Sequence, residues 1–279
     1  MSLDPERLGQ SKSELGKKLR ELRKRAGLTG ARLAVRCAMT QSTISKIETG
    51  KKIPTLVEVE RILFALGVPS EIAEEISSLA RVAHTQWQEV RASWRVGLEK
   101  RQAELAALEQ DASVLRYFLP AMVTGLLATP EYVRASLAYS PGDIGKAVAR
   151  KLERQAVLYD TSKSFTFLLT EQAVKWAVVG PMAMSVQIER LAALSRLPNI
   201  RIGVIPFGVV LPQGPMNTFT IYDERLATVE VFTGRIVFRD PRDISEHIEV
   251  FSRYEMNALF GDCARRQLYE WSAIFRGDL

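Results

Sequence analysis

A chain of 279 residues, 47% of them apolar, carries enough hydrophobic material to bury a core in each of two domains. Its net charge of +6 is unevenly held: residues 1–69 carry 14 Lys/Arg against 7 Asp/Glu, a net of +7, whereas residues 70–279 carry 24 against 25. The two cysteines, Cys37 and Cys263, form no spacing motif, which argues against a disulfide framework or a zinc site, and no uninterrupted apolar run approaches the length that spans a bilayer.

The basic segment is punctuated like a set of short helices. Ser13 is expected to cap a helix over Glu14–Ala26, with Leu15, Leu19, Leu22 and Ala26 on its inner face, and Gly27 ends it. A second helix over Ala31–Cys37 follows Thr29 and buries Leu33, Ala34 and Cys37. After a tight break at Cys37-Ala38-Met39, Thr40 caps a third helix, Gln41–Glu48. Its helical spacing turns Ile44 and Ile47 inward and Gln41, Ser42, Ser45 and Lys46 outward. The loop Thr49–Pro54 leads to Thr55-Leu56-Val57-Glu58, a capping box that opens a fourth helix. Leu56, Val59, Ile62, Leu63 and Leu66 form that helix's apolar side, and Gly67 closes it. An outward face of amide, hydroxyl and ammonium groups suits base edges and phosphates in a major groove. The excess positive charge lies on the same segment, so double-stranded DNA is the expected partner.

Residues 15–68 resemble the XRE-type, or lambda-repressor-like, helix-turn-helix domain. The resemblance is carried by Leu28-Thr29, Leu33-Ala34, Thr40–Ser45, Glu48-x-Gly50-x-x-x-Pro54 and Leu63-x-x-x-Gly67-Val68. It implies an all-α, five-helix module. It also implies base contacts from Gln41, Ser42 and Lys46, and a structural ion pair between Arg23 and Glu48. Thr29, Thr43, Ser45, Lys51 and Lys52 are the expected phosphate contacts. Two positions depart from the pattern. Gly30 stands where many relatives have glutamine, and Ala38 stands where the turn usually has glycine. A left-handed backbone at an alanine costs about 1 kcal/mol.

Downstream, a helix is expected over Glu71–Ala83, and then an apolar seam at three-and-four spacing: Trp87, Val90, Trp94, Leu98, Leu105, Leu108, Ala112 and Leu115. The seam reads either as a core helix or as a dimer interface, and Gly97 is a candidate kink. From Leu119 onward helices and strands mix. Helices are expected over Gly145–Tyr159, Ser185–Leu197, Ile244–Leu259 and Cys263–Phe275. Strands are expected around Phe165–Leu169, Ile200–Ile205, Asn217–Tyr222, Ala227–Phe232 and Arg235–Arg239, the last two turning at Thr233-Gly234. This is the pattern of an α/β (α+β) domain with a mixed sheet of about five strands flanked by helices. The division read from sequence is 1–69 for the helix-turn-helix domain, 70–118 for a helical connector or dimer seam, and 119–279 for a regulatory domain.

Residues 70–279 are similar to a large actinobacterial class of XRE-type regulators. The matching stretches are Val123–Tyr132, Arg154-Gln155, Leu169-Thr170-Glu171, Gln187-x-x-x-Leu191, Pro198-Asn199-Ile200 and Val204-Ile205-Pro206. The usual proline-glycine of the first motif is Thr124-Gly125 here, and its usual glutamine is Ala128. The resemblance implies a C-terminal domain without assigned catalysis, commonly encoded beside a very small protein.

An enzyme is not expected, and no cofactor or metal is implied. His84 and His247 are isolated, Glu171 is a single acid at a strand end, and no metal-binding, nucleophile or phosphate-loop motif occurs. The loop 206–215, with three prolines and two glycines, reads as a crossover, a lid or a docking edge. The expected protein is a cytoplasmic, nucleoid-associated transcriptional regulator with no membrane segment. It is expected to be a homodimer on an inverted-repeat operator, with its signal an unknown small-molecule ligand or a small protein partner encoded nearby. The alternative is an antitoxin-like or adaptor protein whose main task is binding that partner, with DNA binding serving autoregulation.

Overall fold

The computed structural model describes residues 5–89, 98–140, 144–231 and 234–277. These form two compact units, Met1–Gln88 with Ile236–Asp240, and Glu89–Arg235 with Pro241–Leu279. The first unit contains α1 (Pro5–Arg25), α2 (Gly30–Arg36), α3 (Gln41–Glu48), α4 (Leu56–Leu66) and α5 (Ser70–His84). Its core joins Leu15, Leu19, Leu33, Ile44, Ile47, Val59, Ile62 and Ile76, so every helix contributes an apolar stripe. Helix α1 starts at Pro5 rather than at Ser13. Proline is pre-organised for a first helical position, and the helix formers that follow carry the helix through Ser13 instead of letting it cap there.

The first four helices end alike. In each, a residue in the left-handed region sends its amide and the next one back to carbonyls of the last turn. Three of those residues are Gly27, Gly50 and Gly67; the fourth is Ala38, at φ 52°. The amides of Ala38 and Met39 reach the carbonyls of Val35 and Ala34 at 3.2 and 2.9 Å, so the helix-turn-helix break keeps the glycine geometry and accepts the alanine strain. Gly16 serves a different need. A Cβ there would lie 2.6 Å from the Ile47 carbonyl oxygen and 3.1 Å from that of Glu48. Its absence lets α1 rest directly on the last turn of α3.

The second unit is built on a mixed sheet. Its strands are β2 (Val114–Leu119), β3 (Ser164–Thr170), β4 (Ile200–Ile205), β5 (Phe219–Tyr222) and β6 (Leu226–Val231), in the order β6-β5-β2-β3-β4. Strand β2 runs parallel to β3 and antiparallel to β5; β3 and β4 are parallel, and β5 and β6 antiparallel. Two other strands, β1 (Thr85–Glu89) and β7 (Gly234–Phe238), are neighbours of one another. The helices of this unit are α6 (Leu98–Asp111), α7 (Pro130–Ser136), α8 (Ile144–Arg154, continued by a 3-10 turn over Gln155–Tyr159), α9 (Glu171–Lys175), α10 (Pro181–Leu194), α11 (Pro241–Glu255) and α12 (Gly261–Arg276). The buried Lys163 ammonium donates to the carbonyls of Gln110 and Ala112 at 2.5 and 2.7 Å, which closes the C-terminus of α6.

Register separates the two faces of the sheet. Leu115 and Tyr117 pair with Phe165 and Phe167, so these four share one face, where Tyr117 stacks on Phe167 at 4.8 Å between centroids. Phe118 points to the other face, stacking on Tyr254 of α11 at 4.2 Å and tilting against Phe219 at 5.2 Å. Strands β3 to β7 lie where alternation predicts them. The apolar seam, however, is not one helix: Trp87 belongs to β1 and Leu115 to the central strand β2, with only its middle in α6. Val90, Trp94 and Gly97 of the seam, and Phe232 and Thr233 of the expected hairpin, lie outside the described residues. A strand covered on both faces is an almost unbroken apolar run, and at Leu115 such a run imitates helical spacing.

The turn between β5 and β6 is fixed by Asp223, another residue with positive φ (53°). Its carboxylate accepts from the amides of Ser113 and Val114 at 2.9 and 2.8 Å, just where β2 begins. Burial pushes this carboxyl upward, but those amides and Arg225 outweigh it and hold it below its usual range.

Three substitutions test these constraints in urea unfolding. Ala38→Gly is expected to stabilise the protein by about 1 kcal/mol. Gly16→Ala, which in an open helix would stabilise, is expected to cost about 1–3 kcal/mol through its collision with α3. Asp223→Asn is expected to cost about 1 kcal/mol at neutral pH. Because the folded Asp223 carboxyl titrates below its unfolded value of about 3.9, its contribution is present above that pH and is lost as pH falls through the folded value. The gap between wild type and Asp223→Asn should therefore close in acid.

Candidate nucleic-acid interface

Helix α3 presents the surface expected of it. Thr40 caps it in an extended conformation, its hydroxyl accepting from the Thr43 amide at 3.1 Å. Ile44 and Ile47 are buried; Gln41, Ser42, Ser45 and Lys46 are exposed. Thr43 is half-buried, its hydroxyl 2.8 Å from that of Thr40. Thr29, at the start of α2, is exposed and caps that helix, accepting from the Arg32 amide at 3.2 Å. Arg32 itself, one turn in, is exposed and adds a guanidinium not assigned from sequence. Its signal was positional, since the helix before a reading helix is the one that crosses the phosphate backbone.

The loop after α3 is tied back to it. The amides of Lys51 and Lys52 both reach the Lys46 carbonyl, at 2.8 and 3.0 Å, and the Thr49 hydroxyl donates to the Ser45 carbonyl at 2.8 Å. The two lysines differ in freedom. Lys51 is exposed, whereas the Lys52 ammonium meets Glu58 at 2.6 Å. Glu58 also completes the capping box of α4, accepting from the Thr55 amide at 2.8 Å while its own amide donates to the Thr55 hydroxyl at 3.1 Å. Burial raises the Glu58 carboxyl, but Lys52 and Thr55 together hold it below its ordinary range.

Behind the exposed face, Arg23 and Glu48 form a two-point pair. Arg23 Nε and Nη2 donate to the two Glu48 oxygens at 2.5 and 2.8 Å, and Nη1 donates to the Leu28 carbonyl at 2.8 Å. Their side chains are only 13% and 9% exposed, so the pair links α1, the turn after it and the end of α3 in a largely dry setting. Its hydrogen bond to Glu48 holds the Arg23 guanidinium above its already high ordinary value, against the opposing effect of burial.

In the second unit, the motif Val123–Tyr132 is a loop over Val123–Thr129 that runs into α7, and its backbone is held by buried side chains. Gln187, with no exposed surface, accepts from the Thr129 amide at 2.7 Å and donates to the Leu127 carbonyl at 3.0 Å. Gln155 donates to the carbonyls of Gly125 and Ala128, both at 2.8 Å, and accepts from Arg190 Nη2 at 2.7 Å. The Tyr132 hydroxyl accepts from the Val123 amide, and Thr129 caps α7 with Pro130 as its first residue. Gln155 engages the Ala128 carbonyl, not its side chain, so the alanine there leaves the clamp intact. Glu171 is accounted for by Lys175 at 2.9 Å and by the Phe207 amide at 2.9 Å, which anchors the 206–215 crossover between β4 and β5. His247 approaches the Asp243 carbonyl and meets the Phe219 ring edge-on, a packing role.

No helix among the described residues is long and apolar enough to cross a membrane. Residues 14–76 match the family described as a helix-turn-helix domain, and residues 102–270 match a domain of unknown function, DUF5753. No curated protein matches the chain. Among solved structures it is similar to a phospholipase D family member, Nuc from Salmonella typhimurium, at 7% identity and a TM-score of 0.35, over 57% of this chain and 90% of that one. It is also similar to TrmBL2, an archaeal chromatin protein described as showing a novel mode of DNA binding, at 11% identity and a TM-score of 0.33, over 72% of this chain and 61% of that one. At these scores neither likeness bears on how this chain is read. The match across residues 102–270 spans more than half of the sequence, and the chain belongs to the DUF5753 family, with a helix-turn-helix domain preceding that region.

Proposed function

We propose that the chain is a sequence-specific transcriptional regulator. In this reading α3 enters a major groove, Gln41, Ser42 and Lys46 read base edges, and Thr29, Thr43, Ser45, Lys51 and Lys52 bind the flanking phosphates. The observation that carries it is the exposed polar face of α3, backed by the Arg23–Glu48 pair and set in a helix-turn-helix domain. Lys52 must leave or share Glu58 to reach a phosphate, so Lys51 is the stronger of the two contacts. Two copies related by a two-fold axis would place their reading helices about 34 Å apart and select an inverted repeat. The second unit then serves to receive a signal, in the cytoplasm and near the nucleoid. A protein-binding adaptor role draws on the exposed Phe207, Val210 and Met216 along the crossover. Co-purification with the product of a small neighbouring gene, lost when these three are replaced by serine, would favour it.

Genome-wide mapping of bound sites tests the regulator reading. The Gln41→Ala, Lys46→Ala double variant should lose the discrete sites of wild type, and identical occupancy would discard the assigned face. In solution, Lys51→Ala should weaken binding to every duplex alike and reduce the slope of log affinity against log salt by about one unit.

A further inference from the structure

The second unit holds a cavity of about 490 Å3, within the usual range of small-molecule sites. Its floor is one face of three adjacent strands. The pairings Tyr117 with Thr220 and Leu115 with Tyr222 put Tyr117, Thr220 and Tyr222 on the same side, and the Glu230 amide donates to the Thr218 carbonyl at the neighbouring position. The clamped motif loop supplies one wall through Val123, Thr124 and Gly125, and α6 and α8 supply another through Leu105, Glu109 and Arg154.

Acidic and basic side chains are buried in this cavity, and not all of their bonding capacity is used. Glu109, 1% exposed, accepts from the Tyr117 hydroxyl at 3.2 Å and lies 2.8 Å from Arg154 Nε. That contact is out of line for a hydrogen bond, so it is an ion pair only. Arg154 spends Nη1 on Gln102 at 2.5 Å. Arg235, 3% exposed, donates from Nε to Glu230 at 2.7 Å, but its Nη2 has no hydrogen-bond partner among the described residues. A guanidinium nitrogen taken out of water without an acceptor is costly, and a native fold keeps one there when something else supplies the acceptor. Arg154 faces Glu109 and Arg235 faces Glu230, and the one N–H that Arg235 leaves open belongs to a charged guanidinium, which a carboxylate oxygen satisfies more strongly than a neutral acceptor.

We propose that this cavity is the binding site of a small amphipathic carboxylate. Its carboxylate accepts from Arg235 Nη2, and its apolar body lies against Leu105, Leu119, Val123 and Leu137. This gives a chemical class to the signal received by the second unit and rests on that part of the reading above.

The test uses the full chain without DNA and two probes that differ only in charge, 3-phenylpropionate and 3-phenylpropanamide, titrated by ligand-observed NMR and calorimetry. The acid is expected to bind saturably, one per chain, and at least about tenfold more tightly than the amide. Arg235→Gln should erase that preference while leaving amide binding in place. Thr218→Trp, which fills the floor but keeps Arg235, should abolish binding of both probes, and circular dichroism reports whether each variant folds. Should neither variant fold, the acid-against-amide comparison on wild type decides alone. No saturable binding to wild type, equal affinity for acid and amide, or binding indifferent to both folded variants overturns the proposal, and a water would then be what satisfies Arg235. Because DNA is absent, failure here leaves the DNA-reading assignment standing, and unchanged site occupancy in the mapping experiment leaves the cavity standing.

Discussion

A guanidinium shielded from water must face something negative, and in the first unit that demand decides where α3 lies. Arg23 meets Glu48 through two parallel contacts and the Leu28 carbonyl through a third, so α1, its C-terminal turn and the end of α3 cannot shift independently. Desolvation offsets much of the Coulomb attraction in such a pair, and its value lies in orientation rather than in net stability. Gly16 adds the steric half of the same constraint by letting α1 sit on the α3 carbonyls. With its inner side fixed by Ile44, Ile47 and this pair, α3 has one rotation available, and that rotation exposes Gln41, Ser42, Ser45 and Lys46.

The second unit obeys the same rule with neutral groups as well as charged ones. A loop as buried as Val123–Thr129 would strand its carbonyls, and Gln155, Gln187 and Arg190 meet those of Gly125, Leu127 and Ala128. Lys163 does the same for the end of α6. Against that accounting, Arg235 Nη2 is left open beside the cavity, while the open Glu109 Oε2 and Arg154 Nε at least face each other as an ion pair. A polar group satisfied from within the chain belongs to the scaffold, and the open position on Arg235 is what the proposed ligand would fill.

The helix-turn-helix was legible because its signals are local. Caps at Thr29, Thr40 and Thr55, left-handed stops at Gly27, Gly50 and Gly67, and an apolar stripe every three or four residues each fit within a single turn of helix. The start of α1 was not legible, because Ser13 looks the same whether it caps a helix or rides inside one. The central strand β2 was hidden for a deeper reason. Residues buried on both faces carry no alternation, so Leu115 could be added to a helical spacing that ends at Ala112. The cavity was invisible in sequence since its polar groups come from α6, α8, β6 and β7, far apart along the chain. The strand expected over Asn217–Tyr222 does not by itself say which face is covered, and only the fold puts Thr218, Thr220 and Tyr222 in the cavity lining.

Both proposed recognition surfaces are preformed by groups standing behind them. In α3 the exposed residues contribute little to their own placement, which comes from Arg23, Glu48 and Gly16. In the cavity, the wall made by the motif loop is held by Gln155 and Gln187 from its far side. Each backbone carbonyl fixed in this way removes a conformation that binding would otherwise have to suppress, so contacts made at the surface count more fully toward affinity. This also explains why the motif residues Gln155 and Gln187 touch nothing that a ligand would touch. Their effect on recognition passes through the shape of the loop, and replacing either one would alter the cavity without removing a single lining side chain.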